Sequence, residues 1–164
     1  MKKGRVYSLV ELSLLAALIS VTGFIKIPTG FPGSEFQLSA PVAVAITAVF
    51  GFKRYIIAGV ISSLLMFSMG IHNILNIEVA FVFRLVAGGL VALLGTATLV
   101  LLFAGPLGTM AARYILSLTL GVPFLSLVIP AIPGMIYTAV AVIPLVKMFQ
   151  YVRRTGGISV GKSI

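Results

Sequence analysis

The chain has 164 residues, of which 60% are hydrophobic and 9% charged, and its mean hydropathy is +1.20. Twelve Lys and Arg and three acidic residues cannot clothe a soluble domain of this size, so the composition predicts an all-α integral membrane protein. The net charge of +9 falls mostly at span ends and reports topology, not a nucleic-acid partner, and with no cysteine and a single His there is neither thiol chemistry nor a ligand set for zinc.

Residues 1–6, MKKGRV, are short and basic, and Lys2, Lys3 and Arg5 predict a cytoplasmic N-terminus. Helix 1 is predicted over about 7–27. Its apolar run lacks a small-residue cleavage site and reads as a span, not a removable signal peptide. Ser13, Ala16, Ala17 and Ser20 form two i, i+4 pairs of small residues, so one face admits another helix closely. That face serves either internal packing or docking of a partner membrane protein.

The loop 26–37, KIPTGFPGSEFQ, holds Pro28, Gly30, Pro32 and Gly33, which forbid regular helix. It reads as an outer connector or as a lid, with Phe31 and Phe36 to stack on a ligand and Glu35 and Gln37 to bond it. Helix 2, about 38–50, is short of the roughly 20 residues that span a bilayer. Lys53 and Arg54 follow in an inner turn, and helix 3 is predicted over about 55–69.

The stretch IHNILNIEVAFVFRLVAGG, from Ile71 to Gly89, stands out because it gathers His72, Asn73, Asn76, Glu78 and Arg84 in an otherwise apolar chain. An ionisable group at membrane depth costs about 2.5–3.5 kcal/mol on insertion scales, so it faces protein or a wet cavity. Glu78 falls in the first turn of helix 4, where a carboxylate suits the dipole. Ala80, Arg84, Gly88 and Ala92 recur every four residues, which predicts an inward face of small residues around Arg84. An Arg there would pair with Glu78, Glu35 or helix-end carbonyls, or hold an anionic ligand, since the guanidinium fork matches a carboxylate.

From Leu85 to Ala112 no residue is charged, a run too long for one comfortable span and too short for two. Gly105, Pro106 and Gly108 form the strongest break signal, which predicts helix 4 over about 77–103 and helix 5 over about 107–121. Arg113 then lies near the inner side and pairs with Glu11. A break at Gly95 would instead put Arg113 in the outer half as a second candidate ligand contact. Helix 6, about 125–151, starts irregularly at Pro130, Pro133 and Gly134, and irregular backbone at membrane depth belongs beside a cavity, within reach of Tyr137 and Thr138. Lys147, Arg153, Arg154 and Lys162 predict a cytoplasmic C-terminus, which closes a six-transmembrane-helix bundle with Lys26 as the one outer cation. The tail TGGISVGKS lacks the spacing of a phosphate loop.

The chain holds no Asp, and its acidic residues are scattered, so no paired carboxylates or magnesium cluster form. No nucleophile–base pair falls inside a span. The expectation is a non-enzymatic protein without cofactor or metal, whose candidate ligand contacts are His72, Asn73, Asn76, Glu78, Arg84, Glu35, Phe36, Gln37 and Tyr137.

Six short helices, a small-residue first helix (LSLLAALISVTGF), an outer loop (IKIPTGFPGSEFQLSAP) and a basic turn (GFKRY) together resemble the substrate-binding S components of energy-coupling-factor vitamin transporters. The resemblance covers about residues 8–150. IKIP and PAIPGM also resemble the biotin-binding branch, although Met135 and Ile136 stand where that branch carries charge, and a tryptophan-transporter-like branch has a similar size. The resemblance implies a plasma-membrane protein of a prokaryote that binds a vitamin from outside under the first loop. It also implies a membrane coupling (T) subunit and two cytoplasmic ATPases as partners, with ATP hydrolysis on the latter. The family's Ala-x-x-x-Ala docking motif on helix 1 corresponds here to Ala16/Ser20 and Ser13/Ala17. A stand-alone carrier or channel and a non-transporting structural subunit are the rival expectations.

Overall fold

The computed structural model describes residues 3–27 and 36–155. Six helical segments follow one another: α1 (Lys3–Phe24), α2 (Ser39–Phe50), α3 (Phe52–Ser68), α4 (Ile74–Leu94), α5 (Thr98–Leu120) and α6 (Phe124–Thr155). Between α1 and α2, β1 (Lys26–Ile27) and β2 (Phe36–Gln37) form a short antiparallel ribbon, Lys26 opposite Gln37 and Ile27 opposite Phe36. Glu35 lies outside the described residues.

Four of the six segments are long and apolar enough to cross a membrane: 6–24 within α1, α4, α5 and α6. Large apolar side chains cover the outside, among them Leu14, Leu64, Leu99, Val140 and Leu93, the last 86% exposed. A surface of that kind is tolerated where the surrounding solvent is lipid. The protein is therefore a multi-pass membrane protein, and its organisation follows from which faces are left for the interior.

Helix α2 occupies that interior. Residues 41–47 and Val49 are all buried, and the helix packs on α6, α1, α3 and α5. A helix apolar all round needs neighbours on every side. Its 12 residues are short for a span, and surrounding helices make the length harmless because protein, not lipid, meets its ends. Its C-terminal end is closed by Arg153, whose Nη1 donates to the Val49 carbonyl and whose guanidinium carbon lies 5.8 Å from the Phe50 ring centroid. A cation there complements the helix dipole.

Lys53, Arg54, Lys147, Arg153 and Arg154 gather at one end of the bundle, called here the basic end; the ribbon marks the opposite, ribbon end. At the basic end Arg54 Nη1 donates to Glu11 Oε1 at 3.1 Å, tying α3 to α1. Glu11 thus pairs with Arg54, not with Arg113 as expected. Nearer the ribbon, the Ser20 and Ser62 hydroxyls meet at 2.8 Å between the same two helices.

The break in the long apolar run falls at Gly95 and not at Gly105. Gly95 takes φ +83°, a region open to glycine, and Ala97 is extended before α5 starts. Pro106 lies inside α5, and Gly105 and Gly108 are contact points instead of turn residues. A Cβ on Gly105 would strike Thr138 of α6, and one on Gly108 would come within 2.7 Å of the Ala87 Cβ of α4. The physical reason is length: a break at Gly95 gives helices of 21 and 23 residues, both near the roughly 20 that match the hydrocarbon core. Glycines that look like punctuation in the sequence are here the small residues that let helices approach.

Helix α4 carries a π-helical turn over Arg84–Gly88. The wider turn inserts extra residue length and rotates the helix face beyond it. Arg84 and Gly88 are buried as the four-residue repeat predicts, but past the π turn Val91 is buried and Ala92 is exposed. The start of α6 is irregular as its prolines predict, with a 3₁₀ turn at Ile129–Ala131.

Candidate functional site

A cavity of about 810 Å³, counting its open mouth, lies between α1, α2, α3, α4, α5 and α6 toward the ribbon end. Ser39 and Ala40 at the start of α2, Val79 and Ala80 of α4, and Pro130 and Ala131 of α6 line its outer part. Tyr55 and Ala43 bring α3 and α2 to it, and Phe83, Thr109, Ala112 and Thr138 supply further wall. Its mostly apolar lining with a few convergent polar groups is that of a small-molecule site.

Two charged side chains stand among the described lining residues, Arg84 of α4 and Arg113 of α5, 6% and 5% exposed. No acidic side chain stands among the described lining residues. Arg84 reaches its position because α3 gives way: a Cβ on Gly59 would collide with Arg84 Nε and come within 2.8 Å of Cδ. The guanidinium also lies within hydrogen-bonding reach of the Tyr55 hydroxyl, itself wholly buried. Gly88, one turn along, is equally constrained, since a Cβ there would meet the Phe52 ring at 2.8 Å and Tyr55 Cδ1 at 3.3 Å. A bare gap at Gly59 and a tyrosine hydroxyl together hold a guanidinium inside a bundle, where its insertion alone costs about 2.5–3.5 kcal/mol. Such a positive, apolar-walled site favours an anion, since the guanidinium fork matches a carboxylate.

Arg113 enters the same cavity because of the Gly95 break. Counted from the turn, it lies five positions further toward the ribbon end than Gly108, which packs beside Ala87 and Phe83. At 1.5 Å per residue that sets its Cα about 7 Å further along the bundle than Gly108. The signal was present in the sequence as the alternative break, which predicted Arg113 as a second ligand contact.

The other candidates fall elsewhere. Asn73 and Asn76 form a reciprocal cap at the start of α4: Asn76 N donates to Asn73 Oδ1 at 2.9 Å, and Asn73 N to Asn76 Oδ1 at 3.1 Å. Their amides therefore satisfy the open N–H groups of a helix start. Glu78 Oε1 accepts the Thr119 hydroxyl at 2.6 Å and ties α4 to α5 at the ribbon end. His72 sits half-buried in the turn before α4, its N–H donating to the Met66 carbonyl. Tyr137 is half-buried on α6 next to Thr138, which does line the cavity. Phe36 and Gln37 lie in β2, just before α2. Among the described residues expected as ligand contacts, Arg84 lines the cavity, together with Arg113 from the alternative break. Tyr55 and Phe83 had no signal, because an aromatic in an apolar helix looks like core.

The small residues of helix 1 divide. Ala16 is buried and Ser20 is half-buried against α3, while Ser13 and Ala17 are exposed along with Val10, Val21 and Phe24. Within the described residues no group of His and acidic side chains could hold a metal ion.

No family model matches the chain, and no solved structure matches it. It is 59% identical over 154 residues to Protein BioX of Lysinibacillus sphaericus, an alignment that covers 94% of this chain and 93% of that protein.

Proposed function

The chain belongs to the family of Protein BioX, and on that premise we propose that it is the substrate-binding membrane subunit of an energy-coupling-factor importer for a small, carboxylate-bearing vitamin or related metabolite. The observation that carries this is Arg84, buried in the wall of an apolar cavity open toward the ribbon end. In the proposed topology all six helices cross the plasma membrane of a prokaryote. The basic end, with the start of α1 and the end of α6, faces the cytoplasm, following the excess of Lys and Arg there. The cavity then opens outward on the side of the ribbon, and Arg84 holds the carboxylate while apolar walls bury the rest.

The chain contributes binding and no catalysis. Transport is driven by two cytoplasmic ATPases through a membrane coupling subunit, which docks on the exposed Ser13/Ala17 face of α1. That face is free of internal packing, whereas Ala16 is already used against the core. The test is mass spectrometry of small molecules released by denaturing the purified protein. A stoichiometric organic acid is expected, and Arg84→Ala should abolish its retention. Retention of the same acid by Arg84→Ala at wild-type occupancy would refute the role of this cavity.

A further inference from the structure

We propose that the ligand binds carboxylate-first: its acid group lies innermost, at Arg84, and its carbon chain runs out toward the mouth. The substrate class is then an acid that must be free at its carboxylate and can be extended at its far end. This rests on the cavity being the substrate site. The order of lining residues along each helix fixes which end of the cavity is which. Helices α2, α4 and α6 run from the ribbon end inward, and α3 and α5 run the opposite way. Their innermost lining residues are therefore Ala43, Arg84, Thr138, Tyr55 and Thr109 respectively. A guanidinium and three hydroxyl side chains thus stand at the inner end, where the Tyr55 hydroxyl is within hydrogen-bonding reach of Arg84.

Inward of this ring the helices close on one another. A Cβ on Gly105 would strike the Thr138 methyl between α5 and α6. One on Gly108 would come within 2.7 Å of the Ala87 Cβ between α5 and α4, and one on Gly88 would meet the Phe52 ring at 2.8 Å between α4 and α3. Helices that near one another leave no width for a carbon chain, so the chain can extend only toward the ribbon. On that side Ala40, Ala80, Ala112 and Ala131 form an apolar wall of small side chains, which suits hydrocarbon. Along α6 the lining runs from Pro130 to Thr138, eight residues, or about 12 Å at helical rise. Arg113, in the outer part, already has an interaction within the protein, and its charge is not needed for this placement. A reversed ligand would set hydrocarbon against Arg84, shielding its remaining N–H donors from water while offering them no acceptor.

The experiment is photolabelling of the full-length protein in lipid nanodiscs with nonanoate carrying a diazirine at its far end, a chain of similar length to the cavity. Adducts that excess unlabelled nonanoate suppresses are located by peptide mass spectrometry. They are expected on the outer lining residues, around Ser39, Val79 and Pro130. Calorimetric titration in the same nanodiscs should show nonanoate binding roughly 10- to 100-fold tighter than nonanamide, whose head group is neutral, and Arg84→Gln should bring the two level. Suppressible adducts on Tyr55, Thr109 or Thr138 overturn the orientation alone, because they put the tail at the inner end of a cavity that still takes the acid. Equal affinity of acid and amide in the wild-type protein overturns the placement of the carboxylate at Arg84. Suppressible adducts on no lining residue overturn both the orientation and the role of the cavity. Failure of nonanoate to bind overturns the proposed class, and loss of the co-purified acid in Arg84→Ala then shows that the cavity itself still stands as the substrate site. Should Arg84→Gln not fold, the position of the wild-type adducts decides by itself.

Discussion

Replacing Gly59 by Ala separates the stability of the bundle from the geometry of its ligand site. The added Cβ would collide with Arg84 Nε, and lie 2.8 Å from Cδ and 3.0 Å from Cζ. Those atoms belong to the far part of a flexible side chain, so Arg84 can move aside. Leaving its rotamer costs about 0.5–1.5 kcal/mol. Against that, Gly→Ala inside a helix stabilises by about 0.8–1.0 kcal/mol. The two nearly cancel, and the thermal midpoint should stay close to that of the wild type. The guanidinium, however, can no longer rest on α3 beside Tyr55. A charge-assisted hydrogen bond contributes about 1.5–3 kcal/mol, so affinity for the bound acid should fall roughly 10- to 100-fold. Thermal unfolding in detergent and ligand titration in nanodiscs measure the two quantities on one preparation. Unchanged affinity in Gly59→Ala, with affinity lost in Arg84→Ala, would refute the claim that the gap at Gly59 positions the guanidinium. Gly108→Ala is the control: its Cβ would meet the Ala87 Cβ at 2.7 Å and the Phe83 ring at 3.1 Å, and neither can swing away. Overpacking of that kind costs about 1–3 kcal/mol and should show as a lower thermal midpoint.

Asn73→Ala removes the side-chain acceptor that caps α4 and should destabilise by about 0.5–2 kcal/mol in chemical or thermal unfolding, with ligand affinity unaltered. A loss of affinity larger than the loss of stability would return Asn73 to the ligand site. Ala17→Trp, on the exposed face of α1, should leave ligand binding intact and abolish uptake in cells expressing the coupling module. Ala16→Trp, at a position 2% exposed, should instead reduce folded yield. Uptake at the wild-type rate in Ala17→Trp would place docking on another surface.

Residue chemistry made the solvent legible at once. Apolar composition with so few charges demands lipid around the chain, and the apolar runs named all six helical segments, five of them starting within about four residues of their observed starts. Helix 5 did not, because Gly105, Pro106 and Gly108 carry a break signal that local chemistry cannot overrule. Only the packing of α5 on α4 and α6 shows that these glycines are contacts and that the chain turns at Gly95. The buried arginine was legible too, since an ion in a run of hydrocarbon must find a polar site.

Its surroundings were not. Arg84 lies over a glycine 25 positions earlier in the chain, beside a tyrosine that looks like core from the sequence, and shares its cavity with an arginine from another helix. Asn73, Asn76 and Glu78, polar neighbours of Arg84 in sequence, turn out to close a helix end and bridge to Thr119. Composition and periodicity determine which segments enter the membrane and which groups must avoid lipid, because transfer free energy is a property of each side chain. Which of those groups meet is a property of helices approaching from distant parts of the chain, and tertiary packing alone decides it.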